Sequence, residues 1–171
     1  MVFNHRVKRM RTAVAAMAIG GAVAVSLPAP VSADTGWNGR YTLIRSAASK
    51  TGTSLAARQW EPDFSDVYTF ATSCAGGACT ATVVDGPPVK NPTLPVPARY
   101  SWDGTSWVHV YDWQWDCYQG EGRAKVYAPA HSVAVYTPRA DGTLTGTWRT
   151  DISGGPCDGS VIMNVAAVPA L

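Results

Sequence analysis

Ser106-Trp107-Val108-His109-Val110-Tyr111-Asp112-Trp113-Gln114-Trp115-Asp116-Cys117 is the stretch on which the fold turns. Taken two at a time, Trp107, His109, Tyr111, Trp113 and Trp115 share one face, and Val108, Val110, Asp112 and Gln114 share the other. Period two, carried by aromatic and β-branched residues, is the pattern of a pleated strand.

Outward from this strand the pattern repeats. Asn38-Gly39, Asp85-Gly86, Asp103-Gly104, Asp141-Gly142 and Asp158-Gly159 reach positive φ readily and close hairpins. Between and around them lie β-rich segments at 40–46, 66–73, 79–85, 98–102, 106–117, 123–127, 132–137, 143–150 and 160–167. In the first, Tyr41 and Leu43 alternate with Arg40 and Thr42; later, Leu144, Gly146 and Trp148 keep the same spacing. Residues 47–59 have enough alanine for a helix, but Gly52 and two threonines reduce that to a loop or one turn. Residues 86–97 hold too many prolines for a central strand and read as an ordered surface connection of polyproline character. Eight or nine antiparallel strands in one domain must close or fold over to remove their edges. The expected fold is all-β, a small antiparallel up-and-down barrel of about eight strands, with a two-sheet β-sandwich as the alternative.

The N-terminus reads as an export signal. Arg6, Lys8, Arg9 and Arg11 precede an apolar run at 12–27, and Val31-Ser32-Ala33 places small residues before Asp34. The expected products are a leader, 1–33, and a single secreted β domain, 34–171. The run is interrupted by Pro28 and Pro30 and falls short of the roughly 20 apolar residues a span requires. No second hydrophobic segment follows, so no membrane span is expected once the leader is removed. The leader holds four of the 14 basic residues and none of the 12 acidic ones, which leaves 10 against 12. A mildly acidic domain without basic clusters is a poor partner for phosphate backbones, which argues against nucleic-acid binding.

All four cysteines lie beyond the leader, and an even count in an exported chain reads as two disulfides. Cys74 and Cys79 end two β-rich segments separated by Ala75-Gly76-Gly77-Ala78, which would face their sulfurs across a hairpin; Cys117 and Cys157 then form the second pair. The gap of four residues is not the CxxC of redox enzymes, and no histidine stands at zinc-ligand spacing. Neither a metal nor a cofactor is expected.

Chemistry concentrates on the opening strand. Trp107, Tyr111, Trp113 and Trp115 are the candidate ligand-binding residues, because aromatic faces bind sugar C–H surfaces, flat rings and cations. The competing reading is a core strand whose rings fill the barrel, and the intermediate one a barrel whose inner rings line a cavity. Hydrolase signatures are absent: there is no Gly-x-Ser-x-Gly and no His-Glu-x-x-His. His109 and His131, the histidines beyond the leader, keep an envelope hydrolase as the rival function. Asp112 and Asp116 lie about 13 Å apart along a strand at ~3.3 Å per residue, too far for a retaining glycosidase pair.

Several spaced motifs follow one another in order: Tyr68-x-Phe70-x-x-x-Cys74, Cys79-Thr80-Ala81-Thr82-Val83, and Arg99-Tyr100-Ser101-Trp102-Asp103-Gly104-x-x-Trp107. Gly142-Thr143-Leu144-x-Gly146-Thr147-Trp148 and Cys157-x-Gly159 complete them. The series resembles a family of small exported proteins of mycobacteria and related actinobacteria that carries no established activity. Related modules stand as outer-face domains of membrane proteins in such bacteria, so the resemblance implies a binding or sensing role. The expectation is a non-enzymatic binding domain of the cell envelope or exterior, its partner a small molecule, glycan, lipid or envelope protein.

Overall fold

Eight strands carry most of residues 36–171, the part of the chain described by a computed structural model. The leader and its cleavage site lie outside the described residues. The strands are β1 (Gly39–Thr51), β2 (Phe64–Ala75), β3 (Ala78–Asp85), β4 (Arg99–Trp102), β5 (Trp107–Cys117), β6 (Val126–Pro138), β7 (Leu144–Ile152) and β8 (Gly159–Pro169). Each is antiparallel to the next, and β8 returns to β1, so the sheet closes into an up-and-down barrel. One helical turn, α1 (Leu55–Arg58), interrupts the run, and β1 continues to Thr51 before it. Among the described residues no helix is long and apolar enough to cross a membrane.

Both disulfides form as the spacing implies, Cys74–Cys79 and Cys117–Cys157. The β2–β3 hairpin is tighter than expected. Ala75 pairs with Ala78, so only Gly76-Gly77 remain as loop, with φ of 58° and 84°. Positive φ at both loop residues gives a turn whose twist matches the strands it joins. Asp103-Gly104 and Asp141-Gly142 turn the chain between β4 and β5 and between β6 and β7. Asp103 Oδ1 accepts from the backbone N–H of Thr105 (2.8 Å) and Ser106 (2.7 Å), an Asx-type closure. Asp158-Gly159 completes the β7–β8 hairpin, where Asp158 Oδ1 accepts from Gly154 N (2.6 Å) and Gly159 pairs with Ile152, while the Asn38 and Asp85 dipeptides close none. Asn38-Gly39 and Asp158-Gly159 lead into β1 and β8. Gly86 follows β3 without a positive φ; a side chain there would strike the Tyr68 ring.

Segments 123–127 and 132–137 do not form separate strands. Residues 126–138 run continuously as β6 through Pro129, which pairs with Gln114 of β5. The backbone groups of Gln114 point away from β6: its N–H donates to Thr93 Oγ1 (3.0 Å) and its carbonyl accepts from Asn91 Nδ2 (2.8 Å). Pro129 therefore owes β5 no N–H, and its own carbonyl accepts from Ser153 N (2.8 Å) on the other side.

These contacts expose an uneven wall. β4 meets β5 only through Ser101 with Val108 and Trp102 with Trp107. Beyond that point the β5 edge lacks a strand on this side. The proline-rich stretch, 86–97, lies across the gap as a strap, tied down by Asn91 and Thr93.

The two ends of the barrel are closed differently. At one, Trp37 stacks on Phe70 (4.0 Å between centroids, 13° between planes) and meets Tyr41 and Tyr100 edge-on. At the other, Cys117–Cys157, Ile152 and Val161 pack with α1. Its Ser54 cap accepts from Ala56 N (3.1 Å) and donates to the Cys157 carbonyl (2.6 Å). Between the ends, β6 turns Ala128, Ala130, Ser132 and Ala134 inward. Side chains this small beside the rings of β5 leave space inside the barrel.

Candidate functional site

The inward face of β5 divides into three zones. Trp107 is 1% exposed and packs on Trp102 (5.2 Å), so it belongs to the core. His109, Tyr111 and Trp113 line an open cavity of about 660 Å³. Trp115 stands behind them, edge-on to Trp113 at 5.4 Å and off the cavity wall. Of the four rings singled out in the sequence, Tyr111 and Trp113 thus front the cavity, Trp115 supports it, and Trp107 lies in the packed end.

Tyr68 and Tyr100 continue the aromatic wall, and Trp148 of β7 closes it on the far side. The strap supplies the rest, through Pro87, Pro88, Val89 and Leu94 among others. The volume falls within the roughly 300–1,000 Å³ usual for small-molecule sites.

The wall is held in place by hydrogen bonds inside the barrel. Trp113 Nε1 donates to Ser132 Oγ (2.9 Å), and Ser132 shares a 2.8 Å hydrogen bond with Thr150 Oγ1. Ser132 and Thr150 are both buried. Locking an aromatic contact through a buried hydroxyl pair removes rotamer freedom before any ligand arrives.

Most of the lining is uncharged. Burial pushes the Tyr111 and Tyr136 phenols up to about 12 and raises Tyr100 well above its ordinary value, so all three stay protonated. Burial lowers the pKa of His109, partly opposed by a hydrogen bond to the Arg99 backbone. Asp85, exposed at the end of β3, and Arg45 are the exceptions, and the inward one is Arg45. It shares the inward parity of Tyr41 and Leu43, and its guanidinium lies 5.4 Å from the Phe64 ring centre and 5.7 Å from that of Tyr68.

Sequence reasoning did not select Arg45, Trp148 or the strap. The signals were there: Arg45 falls two residues after Leu43, and Val89, Leu94 and Val96 are unusually apolar for a solvent loop.

The two histidines are separated by the sheet. His109 points inward, whereas His131 is on the outer surface with Nδ1 2.8 Å from Asp112 Oδ1. Neither shares a hydrogen bond with a serine among the described residues. No cluster of three or more histidine, cysteine or carboxylate side chains able to hold a metal occurs among them either.

No protein-family model matches this chain, and no curated protein matches it by sequence. A solved structure does: the monomer form of the Mycobacterium tuberculosis PknI sensor domain, with a TM-score of 0.57. The match covers 81% of this chain and 90% of that one at 17% identity. At that identity the likeness is one of fold alone.

Proposed function

We propose that the protein is an exported, non-enzymatic binding protein of the cell envelope or exterior, and that it takes a small apolar molecule or lipid chain into its barrel. The observation that carries this reading is the cavity of about 660 Å³ fronted by Tyr68, Tyr100, Tyr111, Trp113 and Trp148. A concave aromatic and apolar wall of this size suits a compact apolar occupant, which favours a small molecule or a lipid over an extended glycan or a protein surface. Two disulfides fit an oxidising compartment outside the cytoplasm. Against the hydrolase stands the isolation of His109 from any hydrogen-bonded serine and the outward position of His131.

The neutral dye N-phenyl-1-naphthylamine, followed by energy transfer from tryptophan, provides the test. The wild type should bind it, Trp113→Ala should weaken binding about ten-fold by loss of roughly 1.5 kcal/mol of aromatic contact, and Val83→Trp should fill the cavity and abolish binding. Equal binding by all three proteins would place the dye elsewhere and overturn the reading.

A further inference from the structure

Two cations are buried in this barrel, and they are satisfied differently. The Lys50 side chain is 6% exposed and its Nζ lies 2.5 Å from Glu61 Oε2, a close charge-assisted contact. The Arg45 side chain is 15% exposed, and its nearest carboxylate oxygen, Asp66 Oδ2, is 3.5 Å from Nη1. That is too far for a good hydrogen bond. Asp66 is itself 43% exposed, so water competes for it. Nη1 of Arg45 is left buried without a hydrogen-bond partner.

A guanidinium taken out of water without a matched acceptor is costly, and its donors stay charged at every accessible pH. Arg45 is on the cavity wall. Trp148, on the same wall, also has an indole N–H buried without an acceptor. Trp37 and Trp107 share that condition; Arg45 and Trp148 differ in that other atoms of their side chains form part of the cavity wall. The one carboxylate of the lining, Asp85, is exposed at the end of β3. The cavity therefore offers one largely buried positive charge, neutral phenols and a long apolar wall.

We infer that the occupant is a carboxylate-headed amphiphile, its head on Arg45 and its apolar body along Tyr111, Trp113 and the strap. The inference rests on the reading of the cavity as a binding site. A carboxylate accepts from the planar guanidinium fork and competes with Asp66 for it, while the chain replaces water against rings and prolines.

The test compares dodecanoate, below its micelle concentration, with dodecanol, below its solubility limit, on the purified protein by displacement of N-phenyl-1-naphthylamine. The wild type should prefer the acid by about ten-fold, the worth of a charge-assisted hydrogen bond. Arg45→Gln should erase the preference by weakening dodecanoate about ten-fold more than dodecanol. Asp66→Asn, which removes the competing carboxylate, should strengthen dodecanoate several-fold and dodecanol not at all. Arg45→Lys, which keeps the charge without the fork, should retain a reduced preference if Arg45→Gln does not fold. Absence of a preference in the wild type, its survival in Arg45→Gln, or an unchanged ratio in Asp66→Asn would each overturn the inference. Dye binding with no binding of dodecanoate would sink this inference and leave the cavity reading standing. No binding of the dye would end both.

Discussion

His109 faces the interior between two phenols, with ring centroids 4.9 Å from Tyr100 and 4.4 Å from Tyr111. Burial holds its pKa below the ordinary 6.5, so between that value and the lower folded one the unfolded chain binds a proton that the folded chain resists. Stability from this group is full above pH 6.5 and declines as pH falls toward the folded value. The urea midpoint should therefore drop on going from pH 7.5 to 5, and the drop should be smaller in His109→Phe, which keeps the stack. Identical pH profiles for the two proteins would remove His109 as the cause. At this scale parity was legible: alternation places Tyr111 and Trp113 on one face, and Arg45 with Leu43. Which ring fronts space and which is packed was not legible. That depends on side chains brought alongside by pairing, Tyr136 for Trp107 and Ala134 for His109, and on rings from other strands.

At the scale of elements, the strap substitutes for a missing strand. Asn91 and Thr93 offer Gln114 a donor and an acceptor, as a neighbouring backbone would. Thr93→Val removes the acceptor for the Gln114 N–H and should raise the exchange of that amide with deuterium roughly five-fold, for a bond worth about 1 kcal/mol. The amide of Val108, inside the β4–β5 pairing, is the internal reference. Unchanged exchange at Gln114 would mean the strap does not seal this edge. The proline content identified the segment as ordered and not a central strand, because proline cannot donate to a ladder. Its role as a wall depends on the brevity of β4, which no local pattern announced. The union of two segments into β6 was hidden for a related reason. Pro129 reads as a breaker, and only its pairing with Gln114 makes it harmless.

For the molecule as a whole, the disulfides act on loops of different length, with sequence separations of 5 and 40. In the chain-entropy model the short loop contributes about 2 kcal/mol and the long one about 4 kcal/mol. Cys117→Ala with Cys157→Ala should thus lower the unfolding free energy about twice as much as Cys74→Ala with Cys79→Ala, read from urea denaturation. Equal losses would point to native-state packing as the source. Barrel closure was legible from many short strands with an edge problem, and hairpin order from the turn chemistry. The cavity was not, since it forms where rings from β2, β4, β5 and β7 meet the proline-rich strap, a meeting of segments distant in sequence. The short seam between β4 and β5 has one more consequence. Six of the eight strand boundaries are fixed by long backbone ladders and β3–β4 by a short one, but this one is completed by side chains from a segment that carries no ladder of its own. Substitutions in that segment can reshape the lining while every other strand pair keeps its register. Selection can thus retune what the protein recognises without rebuilding the barrel that holds it.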